Sequence, residues 1–154
     1  MGRHADTVTE VSGQAHGSME HGVAVRLGLK AGDVVGEIGY DDDVDHELRE
    51  AVETIIGSEL LDEDADDVLD AVLLWWREED GDLTDALVDA ITLLADTGVI
   101  WLLTPKTGRT GYVEPSDIAE ATRTAGLSQT TTVPGGTDWT TARLARAKQG
   151  RIRR

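Results

Sequence analysis

The chain has 154 residues, enough for one domain with a sizeable core. It carries no cysteine, which excludes disulfides, thiolate zinc sites and cysteine nucleophiles. Its net charge is -16 with a pI of about 4.4, which argues against nucleic acid as a partner.

The charge is unevenly placed. Residues 33–96 hold 23 acids and two bases, Arg49 and Arg77, whereas residues 97–154 hold nine bases and four acids. Such runs read as a solvated acidic surface or as a field that steers a basic partner. No apolar run reaches membrane-spanning length, and the first residues lack the apolar core of a secretory signal, so a cytoplasmic location is expected.

Residues 1–20 are Gly, Ser, Thr, His and charge without periodicity and are expected to be disordered. His4, His16 and His21 do not form a helical metal-binding pair, and no metal is expected there. A single α/β domain is expected over 21–148, followed by a basic tail over 149–154. Its first segment, His21 to Leu29, reads as a short helix or extended lead-in, and Leu29 to Asp33 as a turn. Val34 to Ile38 reads as a short strand ended by Gly39. The acidic loop Tyr40-Asp41-Asp42-Asp43 follows, and Asp43 or Asp45 can cap a helix from Val44 to about Ile56, closed by Gly57.

Glu59-Leu60-Leu61 reads as a rudimentary strand or a turn. Periodicity leaves Val68 to Trp76 open between helix and strand, and its context makes Ala71 to Trp75 a buried strand. Leu83, Leu87, Ala90, Ile91 and Leu94 form a helical stripe, with Asp82 and Asp85 at its start and Gly98 placed to end it. Val99 to Leu103 is an apolar run with no polar alternation, as in a parallel strand covered on both faces. Strand, helix and strand then make a βαβ unit, with 71–75 and 99–103 as parallel neighbours. Pro115 opens another helix that Gly126 stops. Gln129 to Val133 and Trp139 to Ala145 read as an antiparallel hairpin turned at Pro134 to Asp138. The whole is an α/β fold with a short, mostly parallel sheet flanked by helices and a C-terminal antiparallel hairpin.

The order of these segments resembles a truncated class I S-adenosylmethionine-dependent methyltransferase core, which is Rossmann-like. The resemblance runs through Glu37-Ile38-Gly39-Tyr40-Asp41, Leu74-Trp75-Trp76, the helix leading into Val99 to Leu103, and Ala125-Gly126-Leu127 before the hairpin. A more specific resemblance, over most of 23–148, is to the actinobacterial domain-of-unknown-function family 3052. It is carried by Glu59 to Asp66, by Leu74-Trp75-Trp76-Arg77 and by Leu103 to Gly108, and it implies no activity.

The methyltransferase pattern implies acid-x-Gly-x-Gly after the first strand, so that backbone can approach the donor. Here Glu37-x-Gly39 is present, but Asp41 stands where the second glycine belongs, and only Asp62 or Asp64 could hold the ribose. No cofactor is therefore expected. Asp62, Asp64 and Asp66 begin like a calcium loop, but Asp67 and Leu73 stand where its glycine and glutamate belong, so no metal site is expected. His46, flanked by Asp45 and Glu47, has no nucleophile partner, and no catalytic residue is named.

The remaining candidate is the mouth of the sheet, outside the carboxyl ends of the strands. There Tyr40, Asp41, Asp43, Trp76, Arg77, Lys106 and Arg109 are candidates for a binding surface for a protein or a small anion. Equally, Trp75 and Trp101 could be core and the bases could neutralise nearby acids. The expected function is a non-catalytic binding or regulatory module acting through protein contacts. The alternatives are a small methyltransferase or nucleotide-binding enzyme, or a nucleic-acid-associated protein using the basic run Arg143 to Arg154.

Overall fold

The structure is a computed structural model and describes residues 24–133 and 138–147. The expected disordered segment 1–20, three of the four histidines, the basic tail and most of the hairpin turn lie outside these residues.

The continuous apolar runs become the middle of the sheet. Strand β1 is Val35–Ile38, β2 is Leu69–Trp75 and β3 is Leu94–Pro105, and the three are parallel. Strands β4 (Leu127–Val133) and β5 (Trp139–Arg146) form the antiparallel hairpin, with β5 pairing β3. The spatial order is β1-β2-β3-β5-β4. Residues 71–75 of β2 are buried without a break, because both faces of the sheet are covered.

The pleat sorts the core into two halves. Ala71, Leu73, Trp75, Trp101 and Leu103 face helix α1 (His46–Ile56) and pack with its Leu48, Val52 and Ile56. Val72, Leu74, Ile100 and Leu102 face helices α2 (Leu83–Ile91) and α3 (Pro115–Thr124), meeting Leu87, Ala90 and Ala121. Asp45, not Asp43, caps α1, accepting from the Leu48 N–H, and Gly57 closes it in the left-handed region at φ 83°. Asp82 caps α2 by accepting from the N–H groups of Thr84 and Asp85.

Gly98 does not end a helix. Helix α2 stops at Ile91, and Leu94 belongs to β3, where it pairs with Leu69. The next register pair is Ala71 with Val99, so residues 95–98 bulge out of the ladder. Arg146 satisfies the freed groups: its guanidinium donates to the carbonyls of Ala95, Asp96 and Ile91 at 2.8, 2.9 and 3.3 Å. A cation thus sits at the negative end of α2, where the helical stripe suggested a glycine cap. Gly98 instead lies in close packing, since a Cβ there would stand 3.1 Å from the Leu69 carbonyl oxygen.

Glu59-Leu60-Leu61 keeps only a trace of a strand. Leu61 makes one parallel bridge with Gly36, through Glu37 N–H to Leu61 O at 2.8 Å and Leu61 N–H to Val35 O at 3.0 Å. This trace lies outside β1, at the edge of the sheet.

Candidate functional site at the carboxyl ends of the parallel strands

The chain leaves β1 through Gly39, with φ 84°. A Cβ on Gly39 would lie 2.3 Å from the Trp75 carbonyl oxygen, so the turn rests directly on the end of β2. That contact brings two aromatic and ionic clusters together on the α1 side of the sheet.

The first cluster surrounds Glu37. Arg49, from α1, donates from Nε to its Oε2 at 2.6 Å and from Nη2 to its Oε1 at 2.8 Å. Trp75 Nε1 donates to the same Oε2 at 2.8 Å. Such a forked, charge-assisted pair orients both groups firmly. The Glu37 hydrogen bonds raise the Arg49 pKa above its ordinary value, against the opposing effect of burial. The Arg49 guanidinium lies 4.7 Å from the Tyr40 ring centre, and the edge of Tyr40 meets His46 at 5.9 Å.

The second cluster surrounds Arg77, which is only 7% exposed. Its Nε and Nη2 grip the two carboxylate oxygens of Asp43, and Nη1 donates to the Gly39 carbonyl at 2.8 Å. Asp80 accepts from the Arg77 backbone N–H at 2.9 Å. The guanidinium lies 5.3 Å from the Trp139 ring, and Trp139 meets Trp75 edge-on at 4.9 Å. The hydrogen bond from Arg77 holds the Asp43 carboxyl below its ordinary range. Burial pulls the Arg77 pKa down, but Asp43 and Asp80 more than offset it and leave the pKa raised.

The seven candidate residues are therefore divided. Tyr40 and Asp41 are exposed, and Asp43 and Arg77 are locked to each other. Arg109 pairs with Asp138 at 2.7 Å. Lys106 donates its backbone N–H to the Asp138 carbonyl, and its ammonium has no partner among the described residues. Trp76 points to the other side of the sheet, following Val72 and Leu74, and lines a groove with Asp82 and Asp117. Glu37 enters the sequence reading only as the acid of a donor pattern, and Arg49, Glu63 and Trp139 are not among its candidates. Arg49 and Arg77 are the only bases among the acids of 33–96, and that isolation was the available signal for buried ion pairs.

A cleft of about 450 Å³ opens between Tyr40, Arg49 and the acids Asp62, Glu63 and Asp64, at the strand trace beside β1. Glu63 reaches across it and accepts from the Gly39 N–H at 3.1 Å. Asp62 accepts from the Asp64 N–H at 3.0 Å. Among the described residues no three His, Asp or Glu side chains converge to hold a metal ion. No described helix is long and apolar enough to cross a membrane.

Three parallel strands, an antiparallel closing pair and helices on both faces define a Rossmann-like α/β fold of the methyltransferase type. Solved structures share it. A pyocyanin biosynthetic protein superposes with TM-score 0.63 at 13% identity, covering 84% of this chain and 54% of that one. The chain thus spans about half the length of that protein. A SAM-dependent methyltransferase from Aquifex aeolicus superposes with TM-score 0.55 at 12% identity, covering 83% of this chain and 89% of that one. The chain itself belongs to the family described as "Protein of unknown function (DUF3052)", which it matches over residues 24–148. Uncharacterized proteins of Mycobacterium tuberculosis and Mycobacterium bovis are 52% identical to it over 125 residues, covering 81% of this chain and 78% of each relative.

Proposed function

We propose that this chain is a non-catalytic binding or regulatory module of the cytoplasm, built on a methyltransferase-type fold and acting through protein contacts. One observation carries the reading: the groups that would receive a methyl donor are engaged with one another. The Gly39 N–H meets Glu63, the Glu37 carboxylate is filled by Arg49 and Trp75, and the Tyr40 ring covers Arg49. A donor would have to displace these contacts and then lie beside Asp62, Glu63 and Asp64. The exposed Tyr40, at 51%, is an aromatic anchor on an otherwise acidic rim and suits a protein contact.

The second reading is a small S-adenosylmethionine-dependent or nucleotide-binding enzyme, and the open cleft beside β1 favours it. Titration calorimetry with S-adenosylmethionine and S-adenosylhomocysteine separates the two. The expected dissociation constants are on the order of 1 mM or weaker. A value below roughly 50 μM for either ligand transfers the assignment to the enzyme. The protein-contact reading requires that a partner captured from lysate by the full chain is released when Tyr40→Ala is introduced; retention by that variant removes Tyr40 from the contact.

A further inference from the structure

A second cavity, of about 320 Å³, lies across the sheet from Tyr40, between α3, the end of β3, the hairpin and the loop after β3. Its size is within the range of small-molecule sites. No charged side chain of the described residues lines it, although the chain holds 14 Lys and Arg and 30 Asp and Glu. Leu102 and Ala142, paired across β3 and β5, form apolar wall, and Ile118 of α3 and Tyr112 of the loop complete it. Thr104 also lines the cavity. It is only 5% exposed, so its hydroxyl is a polar group set in a largely buried wall.

The surroundings hold this space open. The loop is fastened on two sides, by Glu78 N–H to the Gly111 carbonyl at 2.9 Å and by the Arg109–Asp138 pair. The rim depends on an irregularity in β4. Gln129 and Thr132 are three residues apart and would face opposite ways in a regular strand. The register shift between Gln129 and Thr131 sets them opposite Leu144 and Ala142, which share one face. Gln129 Nε2 then donates to Thr132 Oγ1 at 2.8 Å on the cavity rim. Bulges that re-aim side chains in this way are frequent beside binding sites.

We propose that this cavity binds a small neutral molecule with an apolar body and one polar group, the polar group meeting the Thr104 hydroxyl. A charged ligand would enter without a counter-ion, which burial penalises heavily. An apolar ligand with no polar group would offer the hydroxyl no partner.

Benzamide is a suitable probe, with benzoate and benzylamine as charged analogues, each titrated into the isotopically labelled full chain and followed by NMR. Benzamide is expected to give saturable shifts at Thr104, Tyr112, Ile118 and Gln129, with a dissociation constant on the order of 1 mM. Both charged analogues should bind at least tenfold more weakly, corresponding to about 1.4 kcal/mol. Thr104→Val keeps the shape and should weaken benzamide by roughly two- to tenfold. Thr132→Trp, at the exposed rim, should block entry. The proposal is overturned if benzamide gives no saturable shifts at these residues, if a charged analogue binds there as tightly, or if Thr104→Val leaves the affinity unchanged.

Discussion

Gly39 lies against the Trp75 carbonyl with no room for a side chain between them: a Cβ would stand 2.3 Å from that oxygen. The contact carries the β1 turn onto the end of β2 and sets the Gly39 carbonyl where Arg77 reaches it. Gly39→Ala meets both this clash and a φ of 84°. It should lose about 3 kcal/mol or more in urea melts. Gly57→Ala is the control, with φ 83° and nothing within 4 Å, and should lose only about 1–2 kcal/mol. Equal losses would show that the Trp75 contact does not matter.

Removing Arg49 leaves the buried Glu37 carboxylate, among the described residues, with only the Trp75 indole N–H. Arg49→Ala should therefore cost roughly 3–5 kcal/mol. Replacing both partners, as Glu37→Gln with Arg49→Met, should recover most of that loss, because the uncompensated charge is gone. A double-mutant cycle in urea measures the coupling, and additive losses would refute it.

Asp43 provides a pH test. Its folded pKa is lowered by Arg77, so its contribution is present above the unfolded pKa of about 3.9 and is lost as pH falls through the folded value. Wild type should lose urea stability between about pH 5 and pH 3, and Asp43→Asn should lose less over the same interval. Asp43 is 44% exposed, so the difference will be modest. Parallel curves for the two proteins would remove Asp43 from the acid response.

Trp101 is 1% exposed, and its indole N–H has no partner among the described residues. Trp101→Ala should lose roughly 3–5 kcal/mol. Trp101→Phe should lose much less than Trp101→Ala, since the removed N–H satisfied nothing and much of the volume is kept. A loss below about 1 kcal/mol for Trp101→Ala would contradict a core role.

Salt should stabilise the chain. The 23 acids of residues 33–96 are accompanied by two bases, and the structure shows both of these in ion pairs. The remaining carboxylates repel, and salt screens them over about 10 Å at 0.1 M. The melting temperature should rise from low salt to about 0.3 M. A flat or falling curve would mean that the exposed carboxylates do not destabilise the fold.

The sequence alone determined the elements and most of their order. The run Val99 to Leu103, the stripe of α2 and the glycines after α1 and α3 are local signals, because propensity and capping act over a few residues. They also indicated the parallel pair of β2 and β3, since a strand, a helix and a strand in succession restrict the topology. The end of α2 was misread, because Arg146 reaches the Ile91 carbonyl from more than 50 residues away. The buried pairs Glu37–Arg49 and Asp43–Arg77, the division of Tyr40 from Trp76 and the neutral cavity at Thr104 were likewise decided only by the tertiary structure. Ion pairing and burial depend on distances between residues far apart in sequence. A run of 23 acids does not itself reveal which carboxylates the two arginines will hold, and the alternation of one strand does not reveal what faces it across the sheet.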